Sequence, residues 1–291
     1  MRQIQPGIYI ETTYPGVTLG ALILPQGTIL IDAPMRAEDT RSWRSALINQ
    51  GGSSNRILVN LDAHADRTLG SRAMECTIIA HQKTAQVFRS RPSVFKGQNP
   101  ESGAEWETYN DAVGMRWASP DITFNQRICL HWGPPDILLE HHPGPSSGAI
   151  WAIIPEVKVI FVGDTVLHNQ PPFLANADIP AWLDALNVLK GSYRDYMIIS
   201  GRGGAVPNEA IRNQHLTLKN VLKGMEKFAK HNNSSEITES LIPNILSDMT
   251  YPPHLEEQYV QRLRHGLSQY YMRRYRPLDV VNQAKAIEGE Q

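Results

Sequence analysis

The densest run of reactive side chains lies at residues 60–70, NLDAHADRTLG, which holds Asp62, His64, Asp66 and Arg67. Two carboxylates and an imidazole offer oxygen and nitrogen lone pairs to a metal, or proton acceptors to a reaction. Arg67 offers neither, because a guanidinium stays protonated and only donates. Beside aspartates it makes charge-assisted, bidentate hydrogen bonds. Further along, Asp164 closes FVGD at 161–164, and Arg202 sits in SGRGG at 200–204. LIDAP at 30–34 and HHPGPSSG at 141–148 complete a set of five short loops, each directly after an apolar run.

Two of these loops suggest other chemistry. Gly144-Pro145-Ser146-Ser147-Gly148 has the form of a serine-hydrolase elbow. That elbow needs strand, sharp turn and helix, so that the serine meets an oxyanion hole. Here AIWAIIP follows, which reads as a strand, so a tight β-turn is the expectation. Gly201-Arg202-Gly203-Gly204 falls between a strand and an expected helix, where free backbone amides could hold an anion. Ten histidines invite a metal reading, while two cysteines, Cys76 and Cys129, match no zinc-knuckle spacing.

These loops need elements to position them. Runs at 20–24 and 28–32, joined by Pro25-Gln26-Gly27, read as a hairpin. A helix is expected over 42–49, a strand over 56–61, a strand over 77–80 and a helix over 83–89. Residues 91–117 lack periodicity and read as an irregular insertion, with Arg89, Arg91 and Lys96 placed to flank a pocket mouth or to be solvated. A second β series follows at 122–130, 137–141, 149–154 and 157–162, then a helix over 179–189 and a strand over 196–200. Leu218, Val221, Leu222, Met225 and Phe228 recur at helical spacing, as do Val260, Leu263, Leu267 and Tyr270. The polar patch 231–236 between them reads as a loop. The tail helix carries Glu256 and Glu257 near its start and Arg273, Arg274 and Arg276 before Pro277, which suits its dipole and a packing or dimer surface.

The 291 residues are 41% apolar, enough for a large core, and 28 basic against 29 acidic residues leave a net charge of −1. That balance excludes a general polyanion binder, so no DNA partner is expected. With no apolar leader and no long apolar run, the expectation is a cytoplasmic protein with no membrane association.

The five loops, in this order and spacing, resemble those of the metallo-β-lactamase superfamily over about the first 205 residues. The resemblance implies an α/β fold, a four-layer αββα sandwich with a one- or two-metal hydrolytic site on one edge. It implies a domain over 1–205, with 206–291 as a C-terminal helical segment packed on it. The family's first metal loop reads H-x-H-x-D-H, and its positions fall here on Asp62, His64, Asp66 and Arg67. The family's P-G-H histidine falls on Pro145, its bridging aspartate on Asp164 and its G-H-G histidine on Arg202. Four of those seven positions have therefore changed, and only His64 of the ten histidines stands on one.

Three readings follow from the resemblance. In the first, Arg67 and Arg202 pair Asp66 and Asp164, fixed cations replace the metals, no cofactor binds, and the protein is non-catalytic or holds a small anionic ligand. In the second, Asp62, His64 and Asp164, helped by His142 or His168, hold one divalent metal (zinc, manganese or iron) for a divergent hydrolase, with Asp66 as general base. In the third, the chain is a scaffold subunit, with a homo-oligomer conceivable through the tail.

Overall fold

The computed structural model describes residues 1–91, 93–94, 101–231 and 233–276, so Lys96, Pro277 and the remainder of the tail lie outside the described residues. Sheet one holds β1 (Arg2–Gln5), β2 (Ile8–Glu11), β3 (Leu19–Leu24), β4 (Gly27–Ile31), β5 (Arg56–Val59), β6 (Thr77–His81) and β7 (Ile122–Phe124), side by side in chain order. It is antiparallel up to β4 and parallel from β4 to β7. Sheet two holds β8 (Arg127–Leu130), β9 (Ile137–His141), β10 (Ile150–Ile154), β11 (Val159–Gly163), β12 (Met197–Ser200) and β13 (Gly204–Val206). Its β11 and β12 run parallel, and its other neighbours antiparallel.

Period-2 alternation sorts the side chains into layers. Leu22, Ile29, Ile31 and Val59 of sheet one face Leu139, Ile150, Ala152, Ile154 and Phe161 of sheet two in one buried cluster between the sheets. The intervening residues point outward. Ala21, Leu30 and Leu58 receive Trp43 and Leu47 of α1 (Ala37–Asn49). Trp151, Ile153, Ile160 and Ile198 receive α4 (Ile179–Gly191), α5 (Asn208–Lys230), α6 (Ile242–Ser247) and α7 (Glu256–Tyr275), while α3 (Gln82–Ser90) follows β6. The result is the expected αββα stack, with each fully buried aliphatic side chain contributing about 1.5–3 kcal/mol of transfer free energy. Leu218, Val221, Met225, Leu263 and Leu267 of the last helices share one cluster with the strands of sheet two. No helix among the described residues is long and apolar enough to cross a membrane.

Local differences from expectation have local causes. The helix expected over 42–49 starts at Ala37, because Glu38 and Asp39 make a first turn that is polar yet suited to the helix dipole. The strand expected over 122–130 is two strands. The chain turns at Asn125 and Gln126, placing β7 on one sheet and β8 on the other. The strand expected over 157–162 starts at Val159, after a 3-10 turn that ends on Lys158 at φ 52. SGRGG lies between β12 and β13, not before a helix. Within 231–236, Ser235 already begins a 3-10 turn that runs to Leu241. The 91–117 insertion contains 3-10 turns at Glu105–Thr108 and Asn110–Ala112. Its Val94, Trp106 and Ala112 pack on Met35 and Leu69.

Candidate functional site

The site forms where strand ends from both sheets meet. Asp32 follows β4, Asp62 follows β5, Asp164 follows β11 and Arg202 follows β12. The parallel pairing of β4 with β5 and of β11 with β12 delivers each pair of loops to one edge. Backbone hydrogen bonds fix the seam: Thr18 N donates to Gly201 O at 2.7 Å, Gly201 N to Gly163 O at 2.7 Å, and Ile150 N to Leu61 O at 2.9 Å. His64 caps α2 (Ala65–Thr68), its Nδ1 accepting from Asp66 N at 3.4 Å, which aims Asp66 and Arg67 inward.

Arg67 is fully buried and meets three aspartates. Nη2 donates to Asp164 Oδ1 and Nη1 to Asp32 Oδ2 at 3.4 Å. Nε lies 3.4 Å from Asp62 Oδ1, a charge contact without hydrogen-bond alignment. Arg202 continues the network from the opposite side. Its Nε donates to Asp164 Oδ1 at 3.2 Å, its Nη1 to Glu105 Oε2 at 2.7 Å, and its Nη2 lies 3.2 Å from His64 Nδ1. Nη1 also stands 2.9 Å from Asp66 Oδ2, again off the hydrogen-bond line. Asp66 accepts from Trp106 N at 2.7 Å through Oδ1, and Asp62 accepts from His64 N at 2.8 Å.

Glu105, Arg262 and Phe173 lie outside the five loops, and Asp32 sits within LIDAP without having been given a role. Asp32, at φ 59 and fully buried, accepts from Leu61 N at 2.9 Å. Glu105 reaches in from the insertion and, through Oε1, takes Arg262 Nη2 of α7 at 3.4 Å. Arg262 also donates to Gly103 O through Nε and Nη2, at 3.2 and 3.0 Å, and to Pro171 O through Nη1 at 3.3 Å. Phe173 is faced by both cations, Arg202 at 4.6 Å and Arg262 at 4.0 Å from its ring centre. One signal for Arg262 was legible: it shares a helical face with Tyr259, Leu263, Gly266 and Tyr270, and an arginine on an apolar face needs an acid.

The charges follow from this packing. Burial alone raises Asp164, yet Arg202 and Arg67 hold its carboxyl well below the ordinary range. Burial also opposes ionised Glu105, but Arg202 and Arg262 keep it at about 2. Burial dominates at Asp32 and lifts it to about 7 against the pull of Arg67. Asp66 rises to about 7 through burial and the neighbouring Glu105 charge, despite Arg202. Burial and the Arg202 charge lower His64 to about 3, so its imidazole is neutral.

The structure therefore brings Asp62, His64, Asp66, Arg67, Asp164 and Arg202 together, while Pro145 is buried in the β9–β10 loop and brings no polar donor. Asp62, His64 and Asp164 do not form the open ligand set of the hydrolase reading. Asp62 Oδ1, His64 Nδ1 and both Asp164 oxygens face guanidinium groups or backbone amides, the arrangement of an ion-paired set and not of open metal ligands. Among the described residues, the three-donor group whose ligand atoms all lie within 4.8 Å of one another is a different one, Cys129, His131 and Asp136. His142 is stacked on Trp151 with ring centres 3.6 Å apart, His168 contacts Asn169, and among the described residues neither joins a three-donor group. The serine elbow is also ruled out in its required form, because β10 and not a helix follows Gly148. In SGRGG the amides of Gly201, Arg202 and Gly204 are engaged by Gly163 O, Ser200 Oγ and Thr18 Oγ1, which removes them as anion donors.

A two-sheet sandwich flanked by helices, with its polar site at the seam of the strand ends, defines the metallo-β-lactamase class of fold. The model of the metallo-beta-lactamase superfamily matches residues 21–201, well over half of the chain. The chain belongs to that superfamily. Solved structures agree on the fold. A metallo-beta-lactamase from Pontibacter korlensis superposes with a TM-score of 0.61 at 17% identity, over 75% of this chain and 98% of that one. A stereoselective inverting sec-alkylsulfatase from Pseudomonas sp. gives 0.66 at 13% identity, over 94% of this chain but 49% of its own. A metallo-beta-lactamase from Hirschia baltica gives 0.55 at 14% identity, over 74% and 95%.

Proposed function

We propose that this chain is a metal-independent, non-hydrolytic member of its superfamily that binds a small anionic molecule. The observation that carries the reading is Arg67, buried among Asp32, Asp62 and Asp164, a cation held by carboxylates where the family holds a metal. Arg202 does the same for Asp66 and Asp164. A guanidinium balances the aspartates but cannot lower the pKa of a bound water or polarise a scissile bond as a Lewis acid does. The fixed cations thus supply the structural share of the metal's work and omit its chemistry.

The ligand class follows from Glu105. Its side chain is 25% exposed, whereas those of Asp32, Asp62, Asp66 and Asp164 are almost wholly closed. It bridges Arg202 and Arg262 above Phe173, so a carboxylate, sulfate or phosphate group entering there replaces one anion by another. Calorimetric titration of the chelator-treated protein with sulfate, phosphate and acetate tests this. One of them binds, and Glu105→Gln tightens it by about tenfold because the internal competitor is gone. Absence of binding to either protein contradicts the ligand assignment. Zinc-, manganese- or iron-dependent turnover of β-lactam, phosphate-ester or sulfate-ester substrates that is lost in His64→Ala contradicts the non-hydrolytic assignment.

A further inference from the structure

Metal-binding chemistry is assembled at a second place, remote from the ion-paired seam. Cys129 lies on β8, His131 directly after it, and Asp136 directly before β9. Cys129 Sγ is 3.9 Å from His131 Nδ1, and that nitrogen is 2.9 Å from Asp136 Oδ2. Ligand bonds of about 2.0–2.3 Å in a tetrahedral zinc site imply donor–donor edges of about 3.3–3.8 Å, which these two distances bracket. The side chains of His131 and Asp136 are 72% and 55% exposed, so their donors can be reached from solvent.

The hairpin holds the donors in place. β8 and β9 pair in register, Cys129 opposite Leu138 and Leu130 opposite Ile137, which fixes both ends of the 131–136 loop. Trp132 packs against the core cluster between the sheets and lies over Gly27, where an added Cβ would come within 3.0 Å of its ring. Gly133, at φ 98, takes a left-handed backbone that favours glycine and rests against the Gln26 side chain. Strand direction separates this loop from the seam. Asp164 follows the end of β11, whose start, Val159, pairs with Ile154 of β10, and the neighbouring Ile153 pairs with Leu138 near the start of β9. The hairpin loop is therefore at the opposite end of sheet two.

An ion pair between His131 and Asp136 accounts for those two residues but not for an exposed thiol beside them, since unbridged cysteine is among the most buried residue types. We infer that Cys129, His131 and Asp136 form a surface site for one borderline divalent cation of the zinc type, bound through thiolate, imidazole nitrogen and carboxylate oxygen. The fourth position is open to water, and the thiol proton is released to solvent on binding.

Titration of the reduced, chelator-stripped full chain with cobalt(II) tests the assignment. One equivalent binds with a thiolate-to-cobalt charge-transfer band, and zinc bleaches it. Cys129→Ser abolishes the band, His131→Ala and Asp136→Asn each weaken binding at least tenfold, and His64→Ala leaves it intact. Cys129, His131 and Asp136 are all on the surface, so the hairpin variants keep the fold. A wild-type chain without the band overturns the site, as does affinity that persists in either His131→Ala or Asp136→Asn.

Discussion

Arg67 and Asp164 are in direct ion-pair contact at the seam of the two sheets, both side chains closed to solvent. Asp32 and Asp62 lie against the same guanidinium. Removing that one cation leaves three buried carboxylates facing each other. Arg67→Ala is expected to lower the unfolding free energy by about 3–5 kcal/mol, read from chemical denaturation. Arg67→Lys recovers only part of the loss, because an ammonium lacks the planar fork that spans several carboxylates. An Arg67→Ala chain with unchanged stability contradicts the pairing.

Gly201 is the backbone counterpart of Arg67. A Cβ built there stands 2.3 Å from Arg67 Nη1. Gly201→Ala is therefore expected to push the guanidinium off its aspartates and cost about 1–3 kcal/mol by overpacking. Gly203→Ala offers a nearby comparison, with open space around its Cβ but strain from its φ of 82. Equal stability of Gly201→Ala and wild type contradicts the close approach.

Arg262 ties the tail helix to the insertion through Gly103 O and Glu105. Arg262→Ala is expected to destabilise the chain by about 2–4 kcal/mol, since it strips charge-assisted partners from buried acceptors. The insertion then opens to protease near 101–105 while the sheets stay resistant, which limited proteolysis with mass spectrometry reads directly. A cleavage pattern identical to wild type contradicts this role.

Asp32 gives the pH dependence a definite sign. Burial lifts it to about 7, against about 3.9 in an unfolded chain. Between those values the folded state keeps a proton that the unfolded chain has lost, so this group's contribution falls as pH rises from about 4 to 7. His64, held at about 3, acts in the opposite sense, costing stability as pH falls below about 6.5. The Asp32→Asn difference isolates the first effect. Asparagine tolerates φ 59 and stays neutral, so the variant matches wild type near pH 4.5 and melts a few degrees higher at pH 8. A variant that melts lower than wild type at pH 8 shows that the charged pair with Arg67 dominates instead.

The layers and the inner ring of the site were legible because they rest on local signals. Period-2 apolar runs define the strands, and the polar loops directly after them carry Asp62, His64, Asp66, Arg67, Asp164 and Arg202. Glu105 and Phe173 were not, because an aperiodic insertion and the segment between β11 and α4 bring them in through tertiary packing alone, and Arg262 showed only as an arginine on an apolar helix face. The arginines at the end of the tail suit the dipole, and the one that matters, Arg262, lies about three turns earlier on the buried face. The turn at Asn125 and Gln126 between sheets was hidden by β-prone residues on both sides. The hairpin donors were missed for a related reason: Cys129, His131 and Asp136 follow no metal-motif spacing and meet only once β8 and β9 pair.

Under the proposed function, guanidinium groups stand in for metal at the seam. Elemental analysis of a Cys129→Ser chain, purified without a metal-binding tag, tests it most directly, since the surface hairpin then contributes nothing. Far less than one equivalent of zinc, manganese or iron is expected, with one melting temperature before and after chelator treatment. A stoichiometric metal that disappears in the additional His64→Ala variant would contradict it.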